Sequence, residues 1–95
     1  MSKYIIMVYT ITNYTKLQAK KLNVDVKPSK NKNKKLDVFK NNKKVASIGD
    51  INYKDYPTYL LEDKTLANQR RKLYKIRHKK DLNGKNGFYS NKLLW

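Results

Sequence analysis

Twenty-three lysines and arginines against seven carboxylates leave a chain of 95 residues with a formal charge of +16. No other feature so limits what the chain can fold into. Like charges spread along nearly the whole sequence oppose compaction and favour a polyanionic partner: DNA, RNA or an anionic membrane surface. Hydrophobic residues make up 39% of the chain, which is enough for a core and sets it apart from a disordered basic tail. The expected organisation is a single basic α+β domain spanning residues 1–95. A domain of this size buries only about 60–65% of its unfolded surface, so self-association into a homodimer is a natural way to add stability.

Cysteine is absent, which excludes disulfides, thiolate chemistry and cysteine-containing zinc sites. The N-terminal run Tyr4-Ile5-Ile6-Met7-Val8-Tyr9-Thr10-Ile11 is apolar but shorter than the roughly 20 residues that span a bilayer. No small-residue cleavage site follows it, so it reads as a strand or arm over residues 1–12 rather than a membrane anchor or leader. The expected setting is therefore intracellular or within a particle.

Twenty of the cations are lysine, accompanied by eleven asparagines, a bias typical of A·T-rich coding. All three arginines, Arg70, Arg71 and Arg77, nevertheless fall in one short window. Where lysine is the default, arginine points to a need for its planar fork.

Along the chain, Thr15 and Gln18 have capping-box spacing for a short helix with Leu17, Ala19 and Leu22 turned partly inward. Asn23-Val24-Asp25-Val26 alternates as a strand, ended by Pro28-Ser29. Lys30 to Lys35 reads as a mobile loop. Leu36–Phe39 and Val45–Ile48 flank Lys40-Asn41-Asn42-Lys43, where asparagines that tolerate positive φ suit a hairpin turn. Pro57 disfavours helix at Tyr56. Asp63 or Thr65 then caps a main helix from about Leu66 to Lys80, with Leu66, Leu73 and Ile76 as its apolar face and Ala67 and Tyr74 beside it. A Gly/Asn turn over 81–87 leads to a C-terminal segment, Phe88 to Trp95, that docks on the body. The fold class is α+β: a small antiparallel sheet of three or four strands, a basic helix and a short docking segment.

Several blocks carry a resemblance. Asn13-Tyr14-Thr15 with Ala19–Leu22, Lys27-Pro28-Ser29, Lys34–Phe39, Val45–Gly49, Asp55–Tyr59, Arg70–Asp81 and Gly87-Phe88-Tyr89 with Leu93-Leu94-Trp95 resemble a family of small basic proteins. That family is encoded by large nucleocytoplasmic DNA viruses of the marseillevirus-like and mimivirus-like groups. Its members often carry Tyr-Tyr-Ala where this chain has Phe88-Tyr89-Ser90. The resemblance implies a viral protein of the particle or infected cell, and it carries over no catalytic residue.

Two basic segments are candidate nucleic-acid-binding surfaces. In the first, Arg70, Arg71, Lys72, Lys75, Arg77, Lys79 and Lys80 contact phosphate oxygens. The competing reading is a solvated helix face with one arginine turned inward onto Asp55, Asp50 or the C-terminal carboxylate. In the second, Lys30, Lys32, Lys34 and Lys35 act as flexible point charges, or else merely solubilise a loop. The tyrosines at 53, 56 and 59 could stack on bases, although packing is the simpler role. His78 alone makes a poor metal site and is assigned to packing near Asp81 or Trp95. Without a glycine-rich phosphate loop or clustered acids, no enzyme, metal or cofactor is expected. The expected function is backbone-directed DNA binding, DNA ahead of RNA, that condenses, packages or organises a viral genome in the virion or the host cytoplasm or nucleus. The alternative is a structural or interaction protein that docks on acidic virion, host-protein or membrane surfaces without inserting into a bilayer.

Overall fold

The computed structural model describes residues 9–95, so the apolar run Tyr4–Val8 lies outside the described residues. Helix α1 (Asn13–Leu22) starts at Thr12, whose hydroxyl oxygen accepts the Thr15 amide at 3.3 Å. The cap is thus Thr12, not Thr15. Thr15 is buried in the first turn and its hydroxyl donates to the Leu93 carbonyl at 2.8 Å. Ala19 faces the core and Leu17 is exposed. Asn23, expected to open a strand, instead closes the helix in the left-handed region at φ 59°, its amide reaching the Ala19 and Lys20 carbonyls.

Strand β1 (Asp25–Pro28), β2 (Lys34–Lys40) and β3 (Lys43–Asp50) form one antiparallel sheet in that order. The β2–β3 turn lies at Asn41 and Asn42, with φ of 53° and 65°, the two positive values a tight hairpin requires. Pairing runs Leu36 to Ile48 and Val38 to Ala46, then shifts by a bulge between Val38 and Phe39.

The segment expected as a loose loop is an ordered turn. The Asn31 amide donates to Ser29 Oγ at 3.0 Å, and Asn33 donates to Asn31 Oδ1 at 2.9 Å. Lys34 and Lys35 already belong to β2. Asp37 anchors this turn, accepting from the Ser29 and Ser47 hydroxyls at 2.6 and 2.7 Å and from the Lys30 amide at 3.2 Å. Burial alone would raise the Asp37 pKa. The bonds from Ser29, Ser47 and Lys30, with the nearby Lys44 charge, outweigh burial and hold it below the usual carboxylate value.

Leu36, Val38, Ala46 and Ile48 of the sheet pack with Ala19, Val24, Leu93 and Leu94. The last two come from α4 (Lys85–Leu94), which lies against β3 and α1. The C-terminal segment therefore docks as a helix. Gly49 lets it approach: φ is +79° there, and a Cβ would stand 2.7 Å from Leu94 Cδ1 and 3.0 Å from Lys35 Cδ.

Helices α2 (Tyr56–Glu62) and α3 (Lys64–Arg77) pack together as a pair. Tyr56 is helical despite Pro57, because a proline in the first turn removes an amide that has no intrahelical partner anyway. Asp63 caps α3, accepting the Thr65 and Leu66 amides. The helix stops at Arg77, and a 3₁₀ helix over Lys79–Asn83 follows. Its expected apolar face is wrong by part of a turn. Leu73 and Ile76 are 50% and 65% exposed. The inward edge is Ala67, Arg71, Tyr74 and His78, spaced to lie along one stripe.

Gly49→Ala is expected to destabilise the fold by about 1–3 kcal/mol through overpacking and backbone strain, measured by urea unfolding. Asp37 has a depressed folded pKa, so its contribution is present above the ordinary carboxylate pKa and lost as pH falls through the folded value. Below about pH 4 the wild type should lose stability more steeply than Asp37→Asn in pH-dependent unfolding.

Candidate nucleic-acid interface

Asp55 ends the β3–α2 connection and caps α2, its Oδ1 accepting the Thr58 amide at 3.0 Å and the Thr58 hydroxyl at 2.6 Å. Its Oδ2 accepts from Lys35 Nζ at 3.0 Å and from the Tyr9 hydroxyl at 2.6 Å. The expected internal ion pair therefore exists, but its cation is Lys35, 4% exposed, rather than an arginine. Burial first, then the hydrogen bond to Asp55, pushes the Tyr9 hydroxyl pKa far above its ordinary value.

Aromatic side chains also link the α2–α3 pair to the body and the two helices to each other. Tyr74 stacks on Trp95 at 4.3 Å between centroids and on His78 at the same distance. The Tyr74 hydroxyl donates to Ser90 Oγ at 3.0 Å. Tyr56 meets Tyr14 edge-on at 5.3 Å, and the Arg71 guanidinium lies 4.6 Å from the Tyr56 ring centroid. Arg71 is the inward-turned arginine, held by a ring face rather than a carboxylate, with a buried Nε that has no hydrogen-bond partner. His78 joins the Trp95 stack through Tyr74, in keeping with a packing role; the side chain of Asp81 lies outside the described residues.

The seven candidate cations of α3 and its 3₁₀ extension do not form one surface. Arg70, Arg77 and Lys80 line a cleft of about 960 Å³ between α3, β3 and the start of α4. Lys34 and Lys54 stand in the same wall, so the cleft joins the sheet segment to the helix. Arg71, Lys72, Lys75 and Lys79 border a shallow groove on the other side of α3. The Lys75 pKa is lowered, first by desolvation and then by the positive charges of Arg71 and Lys92. Lys30 and Lys32 lie exposed on the β1–β2 turn, apart from both. Lys35 belongs to the core and leaves the candidate set, because its ammonium is already committed to Asp55.

Sequence reasoning missed Tyr53 as a separate element. Tyr56 is buried and Tyr59 half-buried, the latter 6.4 Å from Trp95, as packing roles require. Tyr53 is 70% exposed in the cleft wall. The available signal was its place before the Asp55 cap, outside the helix that draws the other two inward.

Most carboxylates are engaged within the fold. Asp37 and Asp55 are buried, Asp50 and Asp63 accept local backbone amides, and Glu62 pairs with Lys54 at 2.8 Å. Among the described residues only Lys35, Lys44 and Lys54 form ion pairs with carboxylates. No group of three or more metal-ligating side chains occurs among these residues, and no helix is long and apolar enough to cross a membrane.

The model of a family of unknown function (DUF5754) matches residues 24–59, less than half of the chain. No curated protein and no solved structure matches it. The matched stretch contains the whole sheet and both ends of the Lys35–Asp55 pair, and stops before α3. Lys35→Met should therefore act as a core substitution, lowering stability by about 3–5 kcal/mol in urea unfolding by leaving Asp55 buried without its cation. Replacing Lys30 and Lys32 together with glutamine should change stability by less than about 0.5 kcal/mol.

Proposed function

We propose that the protein binds DNA without catalysis, mainly through the phosphate backbone, and that it condenses, packages or organises a viral genome. One observation carries this reading: the carboxylates are mostly held by the fold itself, while the exposed cations on both sides of α3 have no carboxylate partner among the described residues. A polyanion supplies the missing counter-charge at Arg70, Arg77 and Lys80 on one side and at Lys72, Lys75 and Lys79 on the other. Contacts made to the phosphate backbone carry no sequence information, so the reading is one of low sequence preference. By the resemblance of its sequence blocks, the protein acts in the virion or the infected cell.

A second reading, docking on an acidic protein surface, draws on the exposed Ile76 beside the cations of the outer groove and on the exposed Leu61 of α2. Fluorescence anisotropy with random duplex DNA across a salt series separates the two. Contacts to about six to eight phosphates give a log–log salt slope of about −5 to −7. Neutralising Lys72, Lys75 and Lys79 together with glutamine should flatten the slope by about 2–3 and weaken binding at least tenfold at low salt. Absence of a duplex complex near physiological salt, with retained binding to an acidic protein surface, would reject the DNA reading in favour of the second.

A further inference from the structure

The cleft differs from the outer groove in a way that bears on what enters it. Its wall combines the guanidinium groups of Arg70 and Arg77, the ammonium of Lys80, the exposed ring of Tyr53 and the half-exposed side chain of Leu73. Among the described residues Asp50 is its one acidic side chain, and that carboxylate accepts the Asn52 amide at 2.9 Å. A volume of about 960 Å³ is at the upper end of what small-ligand pockets span, about 300–1,000 Å³. A volume of this order is that of a small-ligand pocket rather than of a double helix. Backbone phosphates explain the cations but leave Tyr53 and Leu73 without a role. A base explains them, provided that it is unpaired and offers its π-face.

We propose that this cleft holds a short single-stranded segment of nucleic acid, one base lying against Tyr53 and successive phosphates meeting Arg70 and Arg77. The two arginines stand two turns apart on α3, about 10.5 Å along its axis, so they reach different phosphates of one strand. Lys80 extends the same track beyond the helix end. Tyr53 is positioned by its amide, which donates to the Asp50 carbonyl at 3.1 Å and keeps the ring ahead of the capped start of α2. The inference rests on the nucleic-acid reading above and adds to it a strand class and a place: duplex lies along the outer, lysine-rich side of α3, and an unpaired strand enters the cleft.

Trp95, the single tryptophan of the chain, stands in the cleft wall and reports on its occupancy. Titration with short oligodeoxythymidylate should change its emission, whereas a duplex of equal length should leave it unchanged while still raising anisotropy. Tyr53→Ala should weaken oligodeoxythymidylate binding about five- to hundredfold, the range expected for loss of one base stack. It should leave duplex affinity and the thermal midpoint unchanged, and Tyr53→Phe should retain single-strand binding. Unaltered single-strand affinity in Tyr53→Ala, or saturation without any change in Trp95 emission, overturns the cleft assignment while duplex binding stands. Single-strand binding that depends on Tyr53, with no duplex complex, upholds the cleft and rejects the duplex reading instead.

Discussion

A carboxylate taken out of water is tolerated only when donors replace its hydration, and Asp55 has four. Two come from Thr58, one from Lys35 and one from Tyr9. The three residues belong to different parts of the chain: the start of α2, strand β2 and the segment before α1. The Lys35 ammonium also lies 5.4 Å from the Tyr9 ring centroid, so cation, anion and aromatic ring close on one another. Such a network gains strength from low local dielectric and loses disproportionately when one member is removed. Its geometric effect reaches further than its energy. By capping α2 with the same residue that anchors β2, it ties the α2–α3 pair to the sheet.

That arrangement also explains how so basic a helix docks at all. An aliphatic interface would have to exclude every cation on α3, which its sequence does not allow. The inward stripe instead uses Ala67 for close approach, Arg71 over Tyr56, and Tyr74 between His78 and Trp95. Ring faces accept cations and flat side chains with little desolvation penalty, so the helix packs while its charge remains near the surface.

The sheet and its turn were legible because local chemistry decides them. Asn41-Asn42 between two alternating runs specifies a tight hairpin whatever surrounds it, and Asp63 caps α3 from its own side chain. The inward face of α3 was not legible by the same means. Apolar periodicity counts Leu66, Leu73 and Ile76 but gives no weight to Arg71 and His78, which bury through contacts made with distant rings. Lys35 was missed because a lysine at the edge of a Lys/Asn run reads as solvent-facing. Its burial depends on Asp55, twenty residues further on, and no pattern within the strand announces that partner.

The commitment of carboxylates to caps and buried anchors has a thermodynamic consequence. With little internal counter-charge left at the surface, small anions must gather around the folded protein, and added salt screens its self-repulsion. On the proposed reading, added salt would also release the protein from a polyanion. Folding and the proposed binding would then respond to ionic strength with opposite signs. In dilute salt, where the free protein is under greatest electrostatic stress, a bound phosphate backbone would act as the counterion of the fold as well as its ligand, tying native stability to occupancy.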